Sequence, residues 1–144
     1  MNILKLIKKD HDEVKAMLTT ISNKRDDQLL KTLAKEVYAH AEAEEECFYD
    51  PLRKKLKPLK PAFDTAHDEH DGVMNMLDKL QKIKEENLWA QMYDIIKKCL
   101  EAHMKLEEEN IFDLANENFK PEELEEMGKE MQASKEKFLA EKSS

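Results

Sequence analysis

The chain has 144 residues, about one domain's worth, and holds only two glycines and four prolines. So few glycines cannot supply the positive-φ turns of a sheet protein or a glycine-rich phosphate loop, which excludes P-loop and dinucleotide-binding folds and leaves an all-α chain. Its 24 basic and 32 acidic residues give a net charge of −8 with no basic stripe, so neither nucleic acid nor anionic membrane is an expected partner.

Apolar residues recur at steps of three and four, which predicts amphipathic helices. A first helix runs from about Asn2 to Ile21, with Ile3, Ile7, Val14, Leu18 and Ile21 inward and His11 inside that stripe. A second carries Leu33, Val37, Phe48 and Leu52, with His40 and Glu44 on the same face, and should kink or end near Asp50 because Pro51 removes a backbone donor. A third, about Pro61 to Lys84, turns Phe63, Val73, Leu77 and Leu80 inward with His70 among them and His67 one turn earlier; Gly72 within it is odd. A fourth shows Met92, Ile96, Leu100, Ile111 and Leu114, interrupted by His103 and Glu107. Pro121 opens a last helix whose Leu124, Met127, Met131 and Phe138 let it lean on the others. No segment approaches bilayer length, and Cys47 and Cys99 form no CxxC motif, so a cytoplasmic location with reduced thiols is expected.

The chain also repeats itself. Asp10-His11-Asp12-Glu13-Val14 aligns with Glu69-His70-Asp71-Gly72-Val73, and His40-Ala41-Glu42-Ala43-Glu44 with His103-Met104-Lys105-Leu106-Glu107. A single domain over 1–144 is predicted, made of hairpin repeats 1–57 and 61–118 and a C-terminal helix 120–141. Residues four apart share a helix face, so each His-x-x-x-Glu pair can grip one object. Unpaired imidazoles and carboxylates on an inward stripe are costly to bury. Two metal ions would compensate, each taking two imidazoles and a carboxylate, with the two glutamates bridging. Imidazole and carboxylate without thiolate suit iron, while zinc and manganese stay open. The His-Glu-x-x-His of metalloproteases and the Glu-x-x-His of ferritin-type bundles are both missing.

The order His11, His40-x-x-x-Glu44, His70, His103-x-x-x-Glu107 resembles the haemerythrin-like, or HHE cation-binding, family over about Asn2 to Asn118. The resemblance implies an up-down-up-down four-helix bundle with an additional C-terminal helix and an oxo- or hydroxo-bridged pair of iron ions. Glu44 and Glu107 would bridge, and histidines would be terminal ligands. Oxygen carriers of the family place a histidine four residues before the one at His70, where this chain has Ala66, and use His-x-x-x-x-Asp on the fourth helix. The chain is therefore similar to the diverse branch that handles dioxygen, nitric oxide, peroxide or iron, and His67 would stand in for the missing histidine.

The metal set expected from these readings is His11, His40, Glu44, His67, His70, His103 and Glu107, with no catalytic residue beyond it. An exposed ion pair or a satisfied core histidine does not account for the same motif at inward phase in both hairpins. His67 also reads as a surface residue between Asp64 and Asp71, Glu36 as a solvated glutamate one turn before His40, and both cysteines as inert packing. The expected function is binding of dioxygen or nitric oxide at the iron pair for sensing, storage, delivery or stress response. The rivals are a di-iron oxidase acting on peroxide, nitric oxide or ferrous iron, and a structural zinc bundle.

Overall fold

Asn2 starts α1 (Ile3–Asn23) by accepting a hydrogen bond from the Leu4 N–H at 2.7 Å, pairing one of the donors that a helix start leaves bare. Asp26 does the same for α2 (Asp27–Glu44), accepting from Leu29 at 2.9 Å. After Glu44 the backbone widens into a π-helical turn, Glu45–Tyr49, and continues as α3 (Asp50–Lys55). The helix therefore does not end at Asp50. The Asp50 N–H bonds the Glu45 carbonyl five residues back, and the donor that Pro51 lacks falls in the first turn of α3.

A 3₁₀ turn, Lys57–Leu59, leads into α4 (Lys60–Leu80), with Pro61 in its first turn. α4 stops short of Lys84 because the chain tightens there into i→i−3 bonds, Lys82 to Lys79 and Ile83 to Leu80. The Glu85 carboxylate caps α5 (Glu86–Leu106), accepting from the Leu88 N–H at 2.6 Å. A second π-helical turn, Glu107–Ile111, joins it to α6 (Phe112–Asn118), and α7 (Pro121–Ser143) completes the chain.

This computed structural model describes residues 1–143, and they form five helical rods with no strand among them. α1 lies against α2 and α4 against α5, while α2 also meets α4. α7 runs along both α1 and α2. Gly128 permits that approach, since a Cβ there would run into the Met1 carbonyl. The inward residues expected from periodicity are buried, apart from Met92 and Leu114, which are half-buried. They form two apolar clusters. One gathers Ile3, Ile7, Phe48, Tyr49, Leu52 and Phe63 with Met131 of α7; the other gathers Val14, Leu18, Leu33, Leu77, Trp89 and Ile96. No helix among the described residues is long and apolar enough to cross a membrane.

Candidate metal centre

Between the two apolar clusters lies a polar layer. α1, α2, α4 and α5 each bring one buried histidine to it: His11, His40, His70 and His103. One turn beyond His40 and His103, Glu44 and Glu107 are both 0% exposed. Glu44 turns its two oxygens to different hairpins, Oε2 to His40 Nε2 and Oε1 to His70 Nε2, each at 3.2 Å. Glu107 mirrors it, with Oε1 3.0 Å from His11 Nε2 and Oε2 3.5 Å from His103 Nε2. Two groups of four result, His11, His40, Glu44, Glu107 and Glu44, His70, His103, Glu107, with ligand atoms within 4.8 Å of one another in each. A π-helical turn follows each glutamate directly or begins at it, a distortion frequent at functional sites.

Several of these donors have no hydrogen-bond partner among the described residues. His40 Nε2, both Glu44 oxygens and both His103 nitrogens are buried without one, although imidazole and carboxylate stand close. His11 Nε2 does bond Glu107 Oε1, at 3.0 Å, but bare buried carboxylate oxygens such as those of Glu44 are costly. Imidazole nitrogen and carboxylate oxygen at this spacing, with no thiolate, form a donor set for a first-row cation. The residues fit a metal.

Without a metal, the layer balances its charge with protons. Burial opposes protonation of His40, but the Glu44 charge and the Asp10 hydrogen bond outweigh it and push the imidazole up to about 10. His103 is likewise opposed by burial and pushed up to about 8 by Glu107 and Glu44. Burial works against the Glu107 carboxylate, yet His103 and His11 hold it well below the usual range. The Tyr49 hydroxyl donates to Glu107 Oε2, and burial together with the Glu107 and Glu44 charges keeps that phenol protonated.

Of the seven residues expected from the sequence, six come together and His67 does not. Its side chain is 35% exposed and faces outward, 3.2 Å from Glu45 and 3.4 Å from Asp71. It lies one turn before His70 on α4, beside Glu45 of the first π-helical turn and outside the layer. Glu36 does not orient His40; it lies 3.4 Å from Lys135. Asp10 does, accepting from His40 Nδ1 at 2.9 Å. Glu108 accepts from His11 Nδ1 at 2.6 Å. Asp10, Tyr49, Glu108 and Lys135 were all missed. The one available signal was the repeat, which sets Asp10 before His11 as Glu69 stands before His70. Cys47 is buried with its thiol pushed up to about 11 by burial and nearby carboxylates, Cys99 is exposed, and neither joins the cluster.

Comparison with known proteins bears on the same residues. The model of a family described as Hemerythrin HHE cation binding domain matches residues 2–136. A protein of Nostoc sp. (strain PCC 7120 / SAG 25.82 / UTEX 2576) named DNA nickase is 28% identical over 149 aligned positions, covering 96% of this chain and 40% of that protein. The chain thus spans about two fifths of that relative's length. No solved structure matches it.

Proposed function

Because the chain belongs to the hemerythrin HHE cation-binding family, we propose that its polar layer holds two iron ions and binds a small diatomic molecule there, dioxygen or nitric oxide, for sensing, storage, delivery or stress response. His11 and His40 would hold one ion and His70 and His103 the other, with Glu44 and Glu107 shared. The observation that carries the reading is the division of each glutamate, one oxygen toward each histidine pair. Held by these residues, ferrous iron would supply reducing electrons to a bound diatomic molecule.

The chain's own residues do the rest. The two apolar clusters exclude water on either side, and Tyr49 fixes the Glu107 carboxylate. The reading takes the four histidine-bearing rods as an up-down-up-down bundle of two hairpins, 1–57 and 61–118, with α7 added against it.

Elemental analysis with an absorption spectrum tests it. Two irons per chain and new charge-transfer bands when anaerobically reduced protein meets air or nitric oxide are expected; colourless, iron-free protein overturns it. His103→Ala should lower metal content and melting temperature together, because a cation bound only to the folded state stabilises it by mass action.

A second reading follows from the relative named DNA nickase, whose likeness runs along 96% of this chain. Metal-dependent cleavage of DNA would show as conversion of supercoiled plasmid to open circles by wild type and not by Glu44→Ala. The net charge of −8 argues against tight binding to a phosphate backbone. A di-iron oxidase would instead consume hydrogen peroxide, and equal rates for wild type and Glu44→Ala would remove that alternative.

A further inference from the structure

The six inner donors are arranged with near-equal halves, but what stands behind them differs. On one side both outer imidazole nitrogens are held by carboxylates, His11 Nδ1 by Glu108 at 2.6 Å and His40 Nδ1 by Asp10 at 2.9 Å. On the other, His70 Nδ1 is buried without a partner, and His103 Nδ1 has only Glu69, 3.8 Å away with a side chain 44% exposed. The residue placed after Glu44 as Glu108 is after Glu107 is Glu45, and it is drawn off by Arg53 at 2.5 Å and His67 at 3.2 Å.

Behind Asp10 stands a further group that, among the described residues, has no counterpart at Glu69. Lys135 of α7 places Nζ 2.7 Å from Asp10 Oδ1, with Lys135 8% and Asp10 4% exposed. Lys135 is thereby the side-chain cation in contact with the buried Asp10 carboxylate on the side away from His40. It holds Asp10 in place, and Asp10 fixes the His40 ring through Nδ1, leaving Nε2 turned inward.

We infer that the two metal positions are unequal, and that Lys135 is the positioning residue that makes the His11–His40 position the tighter. The inference rests on the two-cation reading above.

Cobalt(II) titrated into the metal-free protein, followed by its visible absorption, is the test. Wild type is expected to bind two equivalents in two steps. In Lys135→Met the tighter step should weaken by about 10- to 100-fold while the other is unchanged, and Lys135→Arg should recover it; weakening of the looser step alone overturns the inference. Two equal steps in wild type, or superimposable curves for wild type and Lys135→Met, overturn the inference. So does equal weakening of both steps, which marks Lys135 as structural alone. Since Lys135→Met strands a buried carboxylate, the double variant Asp10→Asn, Lys135→Met removes both charges together and protects folding. Its single weakened step should persist, and wild-type affinity at both steps overturns the inference. A wild-type chain that binds no cobalt overturns the metal reading along with it, so the two failures are distinguishable.

Discussion

His40 and His103 carry protons in the metal-free layer at pH 7, since their pKa values are raised to about 10 and about 8. A cation must displace them from the inward nitrogens, so metal affinity should rise with pH through the neutral range. Binding at pH 7 should release about two protons. Calorimetry in buffers of different ionisation enthalpy counts them, and a count near zero would contradict this assignment of protons. The same scale shows what sequence reading can reach. Four histidines and two glutamates were legible because the repeat presents each twice at inward phase. Lys135 was not, because it stands 125 residues from its partner Asp10 and outside the repeat. Tyr49 was hidden for a related reason: its place in the repeat is taken by Phe112, whose ring lies parallel to His11 but has no hydroxyl.

At the scale of elements, the two glycines should respond oppositely to a methyl group. Gly128 sits where α7 meets the start of α1, so Gly128→Ala should destabilise by about 1–3 kcal/mol through overpacking against backbone. Around Gly72 nothing lies within 4 Å, so Gly72→Ala should stabilise α4 by about 0.5–1 kcal/mol. Urea unfolding of both variants measures the two shifts, and equal signs would contradict the packing described. Helix positions were readable from periodicity to within a few residues. The π-helical turns were not, because a one-residue expansion leaves the apolar stripes on either side intact. Pro51 marks a disturbance near the first turn, and no residue type marks the second.

For the whole molecule, the separation of its interior into two apolar clusters sets how it comes apart. The layer between them contains buried carboxylates that repel each other unless protons or cations intervene. α7 contributes Leu124, Met127, Met131 and Phe138 to one cluster and none of its buried residues to the other. Amide hydrogen exchange should therefore find two protection classes in the metal-free chain. Amides beside Val14, Leu33 and Trp89 should open at lower free energy than those beside Ile7, Phe48 and Met131. With metal bound the two classes should merge, and a single class in both states would contradict the division. On that prediction the polar layer is a joint between two cooperative units, and filling it should decide whether the chain unfolds in one transition or in two.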